Sequence, residues 1–129
     1  MRVKFLMELM RALYFYLVFL ILQVTNYRFS IAWTRIYPTG TGSTPNQAGV
    51  DFYNNFIDSL IVMGIEPLVT LYHWDLPQGL EDHGGWLNRS TADAYAEYAD
   101  TCFRLFGDRV RFENKVIRDH LRDSWKAVN

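Results

Sequence analysis

The chain has 129 residues, 50% of them hydrophobic and 16% aromatic, and its 14 acidic and 13 basic side chains leave a net charge of −1. That composition is ample for a core, and it excludes the strongly basic surface on which nucleic-acid binding depends. The single cysteine, Cys102, excludes an internal disulfide and leaves the redox compartment open.

Basic Arg2, Lys4 and Arg11 precede a largely apolar run over residues 12–24, interrupted by Gln23. A charged start followed by an apolar stretch is the pattern of a secretory signal. The run is short of the ~20 residues that span a bilayer, and no small-x-small cleavage site follows it. It predicts a hydrophobic N-terminal helix. Residues 27–33 then alternate, with Tyr27, Phe29, Ile31 and Trp33 on one face and Arg28, Ser30 and Ala32 on the other. Period two predicts a strand whose apolar set faces covering helices, leaving Arg28 as the one charge on the opposite face. Asp51 and Asp58 are candidate partners for that charge.

Gly40, Gly42, Ser43, Pro45 and Asn46 mark a loop. Asn46 suits the N-cap of a helix running to about residue 63, with Val50, Tyr53, Ile57, Leu60 and Ile61 at helical spacing and Gly64 placed to end it. Residues 65–72 read as a buried strand. Its end, Tyr72-His73-Trp74-Asp75-Leu76-Pro77, opens a loop that closes at Gly84-Gly85-Trp86. An imidazole beside an indole at such a junction suits a polar ring, because one offers a hydrogen bond and the other an apolar face with one N–H.

Asp75, Glu81, Asp82 and His83 share that loop, but their irregular spacing matches no metal-ligand pattern, and a solvated loop is the simpler reading. Ser90 with Asp93 resembles a capping box, and Asn88-Arg89-Ser90 is a glycosylation sequon, meaningful only in the secretory pathway. Tyr95, Ala99, Cys102, Phe103 and Phe106 form one apolar helix face ended by Gly107, which makes Cys102 a packing residue. The order strand, helix, strand, helix predicts a parallel pair. Residues 113–128, with Ile117, Leu121, Trp125 and Val128 in register, predict a last helix.

Three blocks, Tyr27 to Ile36, Tyr72 to Pro77 and Phe106-Gly107-Asp108-Arg109-Val110, together resemble glycoside hydrolase family 1, the β-glucosidase and lactase-like enzymes. The resemblance runs over residues 24–110 and implies an α/β fold, part of a (β/α)8 TIM barrel comprising about strands two and three with their helices. A whole barrel takes roughly 250 residues or more. The chain thus divides into residues 1–23, a signal-like or inserted segment; residues 24–110, the partial barrel; and residues 111–129, a divergent C-terminal helix. The resemblance offers a second reading of the first segment: residues 3–13 look like the family's first barrel helix, which would make residues 14–23 an insertion. A genuine targeting segment implies a secretory or membrane-associated protein, with membrane contact through residues 12–24. An insertion implies a cytoplasmic one.

The resemblance also implies site residues. His73 and Trp74 match the pair that contacts hydroxyls of the non-reducing sugar, and Arg28 matches the arginine beside the catalytic nucleophile. A cation there favours an ionised carboxylate. The family needs no cofactor and takes a β-linked sugar as substrate. Its two catalytic glutamates lie in an Asn-Glu-Pro and a Thr/Ser-Glu-Asn-Gly motif, and neither motif is present. Arg111-Phe112-Glu113-Asn114-Lys115 stands where the first is expected, so Glu113 is only a weak candidate. The break is consistent with a missing internal stretch, as exon skipping or a faulty gene model would leave. The expected identity is therefore a retaining β-glycosidase fragment, inactive as this chain. The alternatives are a non-catalytic klotho-like binding protein and a non-functional translation product.

Overall fold

The computed structural model describes residues 2–112. Helix α1 (Arg2–Leu22) leads into strand β1 (Asn26–Ser30), the short α2 (Trp33–Ile36), α3 (Gln47–Val62), β2 (Glu66–Thr70), α4 (Gln78–Glu81), a 3₁₀ turn (Gly85–Leu87), α5 (Arg89–Phe106) and β3 (Arg111–Phe112). The strands form one parallel sheet in the order β1-β2-β3. Parallel neighbours need a crossover, and α3 and α5 supply the two. This is the expected α/β arrangement, with one strand more. Arg111 and Phe112 pair with Leu68 and Val69 instead of opening the divergent segment. The helix expected over residues 113–128, and with it Glu113, lies outside the described residues.

Pairing in β1 and β2 runs from Asn26 opposite Glu66 to Ser30 opposite Thr70. The Asn26 amide donates to the Glu66 carboxylate at 2.7 Å and ties the first register pair by its side chains. On the helix side, Phe29 stacks on Tyr53 and meets Phe56 edge-on, so the odd residues of β1 face α3 as their alternation predicts. Ile31, Val69 and Leu71 continue that face into a core with Tyr53, Ile57, Tyr98, Cys102 and Phe106.

Several boundaries differ from the sequence expectation. The strand expected over residues 27–33 stops at Ser30, and Trp33 begins a helix. The buried pair of α2, Trp33 and Ile36, sits at i, i+3, a spacing that meets the apolar alternation of β1 at Trp33 and disguises the change. Asn46 holds the N-cap position of α3, yet its amide donates to the Arg35 carbonyl instead of capping the helix. Ser90 does not cap α5. Asn88 does, its carbonyl oxygen accepting from the Ser90 backbone N–H at 3.0 Å and the Ser90 hydroxyl at 2.9 Å. Asp93 pairs instead with Arg89. The buried face of α5 also includes Thr91, Ala94, Tyr98 and Thr101, whereas Tyr95 and Phe103 are half-buried.

α1 exposes apolar side chains along its described length, among them Leu9, Leu13, Leu17, Leu20 and Ile21. Among the described residues no helix is long and apolar enough to cross a membrane.

Candidate functional site

The C-terminal ends of β1 and β2 are joined by Tyr98 of α5. This residue is fully buried, and its hydroxyl donates to the carbonyls of Ile31 at 2.9 Å and Leu71 at 3.0 Å. Each carbonyl lies just past its strand, and the single phenol proton is shared between the two ends. Burial raises the Tyr98 phenol well above its ordinary value and pushes the Cys102 thiol up to about 12; the hydrogen bond between them adds to the first rise and tempers the second. Both groups are neutral packing elements at any ordinary pH. Trp33 stacks on Tyr98, with centroids 5.0 Å apart and planes 8° from parallel, and donates its indole N–H to Gly40.

An aromatic floor spreads from this pair. Tyr95 contacts Trp33, Tyr72 and Trp86, and Trp86 meets the Tyr72 ring edge-on at 5.1 Å while donating its indole N–H to the Tyr72 hydroxyl at 3.1 Å. Burial pushes the Tyr95 phenol up to about 12. His73 and Trp74 emerge beside this floor, three and four residues after β2 ends. Both are exposed. Trp74 is 88% accessible, its ring centroid 6.5 Å from that of Tyr72, and its backbone is left-handed, with φ 66°.

Arg28 lies mid-strand in β1 opposite Leu68, on the sheet face that the alternation turns away from α3, and is exposed. The structure therefore brings His73 and Trp74 together at one strand end and sets Arg28 on the neighbouring strand. The carboxylates expected as partners for Arg28 have other bonds: Asp58 accepts from Arg109 at 2.7 Å and Asp51 from the Gln47 amide at 2.7 Å.

Three members of the acidic loop, Asp75, Asp82 and His83, likewise have bonds of their own. Asp75 accepts two backbone N–H bonds, Asp82 accepts from Gln78, and the His83 ring bonds the Gly79 carbonyl. Among the described residues no three His, Cys, Asp or Glu side chains gather to hold a metal ion.

Two residues had no role assigned from the sequence. Tyr98 was accessible to it by spacing, at i+3 from Tyr95 and i−4 from Cys102, but helical periodicity does not show that a hydroxyl will find two strand-end carbonyls. Arg109 of the Phe-Gly-Asp-Arg-Val block was visible as a motif only. It donates to Asp58 and Asn54 of α3 and to the Leu105 carbonyl, and so clamps the end of α5 to α3. The bond to Asp58 first, then the one to Asp108, raises its pKa further against the opposing effect of burial and keeps it charged.

Parallel strands, crossover helices and a polar–aromatic cluster at the carboxyl ends of the strands define a piece of an α/β barrel. A sequence model of glycosyl hydrolase family 1 matches residues 17–116, and the chain belongs to that family. It is 59% identical over 91 residues to lactase/phlorizin hydrolase of Rattus norvegicus, covering 70% of this chain and 5% of that protein. With beta-glucosidase 6 of Oryza sativa subsp. japonica it shares 65% identity over 86 residues, covering 66% of this chain and 16% of the relative. Klotho of Mus musculus is 52% identical over 92 residues, 70% of this chain and 9% of that protein. Among solved structures, a β-glucosidase from Thermotoga maritima in complex with glucoimidazole superposes with a TM-score of 0.70 at 53% identity, over 75% of this chain and 22% of that one. The chain thus spans a minor part of each relative.

Proposed function

We propose that this chain is the portion of a retaining β-glycosidase that holds the sugar-contacting pair, and that it hydrolyses no glycoside by itself. The observation that carries the reading is the joint exposure of His73 and Trp74 at the mouth of β2, beside an aromatic floor, within the stretch shared with β-glucosidases. In this role the His73 imidazole bonds a hydroxyl of a terminal β-linked sugar, and the Trp74 indole supplies an N–H and an apolar face. Arg28 supports a nucleophile supplied from outside this sequence.

Magnitudes separate binding from turnover. Retaining hydrolysis needs two carboxyl groups roughly 5–5.5 Å apart. One positioned acid or base contributes ~10²–10⁴ of an acceleration that is commonly ~10⁶–10¹⁷. A hydrogen bond to sugar contributes only ~0.5–1.5 kcal/mol net, so a few of them hold a sugar no tighter than about the millimolar range. Binding residues cannot replace the missing carboxylates.

The test is an NMR titration of the 129-residue chain with glucoimidazole, following the tryptophan indole N–H resonances. A saturable shift at Trp74, weakened by His73→Ala, is expected. A titration that leaves Trp74 unmoved would sink the assignment. The similarity to klotho supports a second reading, a non-catalytic binding module, in which the same exposed surface meets a protein partner and gives no sugar response.

A further inference from the structure

Trp74 is a bulky aromatic residue in the left-handed backbone region, and apart from Gln23 it is the only non-glycine with positive φ among the described residues. That region crowds Cβ against the backbone, so such a residue persists only where its surroundings hold it there. The restraint is visible. The Asp75 carboxylate accepts the His73 backbone N–H on Oδ1 at 3.0 Å and the Trp33 backbone N–H on Oδ2 at 3.4 Å. One bond spans the kink at Trp74 from the residue after it to the residue before it. The other anchors that kink to the start of α2, just beyond the end of β1. Both oxygens of one half-buried side chain are therefore used to fix where β2's outgoing chain turns and how it sits against β1's.

We infer that Asp75 is a positioning residue: its carboxylate holds the left-handed turn at Trp74 and so presents His73 and Trp74 outward together. The turn explains why a large apolar ring stands exposed instead of folding onto the Tyr72–Trp86 floor beneath it. Asp75 need not touch a ligand to matter. The clamp stands on geometry alone, while its consequence for sugar contact rests on the function proposed above.

The test uses the full chain as wild type, Asp75→Asn and Asp75→Ala, with two readouts. The first is native-state exchange of the His73 and Trp33 amides, with the Ala32 amide, held by the Tyr53 hydroxyl at 2.7 Å, as the internal reference. Losing an amide bond of this kind speeds exchange by roughly three- to tenfold. Asp75→Ala is expected to accelerate both clamp amides and spare Ala32. Asp75→Asn, nearly isosteric and retaining one acceptor oxygen, is expected to accelerate one of the two. The second readout is the Trp74 indole resonance without ligand, which shifts in both variants if the turn relaxes.

Equal acceleration of all three amides in Asp75→Asn, or an unmoved Trp74 resonance in that variant, would overturn the inference. Adding glucoimidazole separates the two claims. A wild-type chain with protected clamp amides and no response to glucoimidazole refutes the sugar reading and leaves the clamp in place. A response that survives in Asp75→Ala refutes the positioning role.

Discussion

Removing one oxygen from the centre of the fold tests whether Tyr98 joins the two strand ends. Tyr98→Phe keeps the ring and its stacking on Trp33 at 5.0 Å, and deletes only the hydroxyl, with its bonds to Ile31, Leu71 and Cys102. The lost hydrogen bonding, together with two carbonyls left short of a donor, costs about 1–3 kcal/mol. Tyr98→Ala also opens a cavity under Trp33 and is expected to cost about 3–5 kcal/mol. Urea unfolding of the full chain, followed by far-UV circular dichroism and tryptophan emission, reads both. With a slope of about 1–3 kcal/mol per molar urea, Tyr98→Phe moves the midpoint down by roughly 1 M. An unchanged midpoint would mean that the bridge carries no net stability, and the strand ends would then be held by packing alone.

Other expectations follow from particular residues. A methyl group at Gly49 would run into the Arg35 carbonyl where α3 meets α2, whereas at Gly64, φ +73°, it meets nothing within 4 Å and suffers only backbone strain. Gly49→Ala is therefore expected to destabilise by on the order of 3 kcal/mol and Gly64→Ala by about 1–2, in the same urea assay. Cys102, buried and shifted to about 12, should resist iodoacetamide at pH 8 and react only at the rate of unfolding. Because Cys102 and Tyr95 bind their protons more tightly when folded, their contribution is complete below their unfolded values of 9.0 and 10.0 and is lost as pH rises toward about 12. Melting temperature should fall across that alkaline window, and a flat profile would contradict the burial of these groups.

Much of this arrangement was legible in the sequence because it rests on periodicity. Residues 46–63 and 65–72 announced α3 and β2 by their apolar spacing and by Gly64, and the order of elements implied a parallel pair. Less legible was whatever depended on where a polar atom finds its partner. Ser90 reads as the cap because Asp93 follows three residues on, and only the turn geometry gives the role to Asn88. Trp33 fits both the strand alternation and the i, i+3 pair of α2, so the alternation overruns the end of β1. At the candidate site, His73 and Trp74 drew notice by type and by family motif. Asp75 read as a solvated loop acid because its two partners are backbone amides, which leave no trace in a sequence.

The central claim, a sugar-contacting surface without the carboxylates for turnover, is tested most directly by incubating the purified 129-residue chain with an aryl β-glucoside and following phenol release. Release indistinguishable from buffer is expected for wild type and Glu113→Gln alike. Turnover in protein free of contaminating glycosidase would contradict the claim. Its loss in Glu113→Gln would make Glu113 the catalytic carboxylate, and its survival there would place the reacting groups elsewhere in the chain.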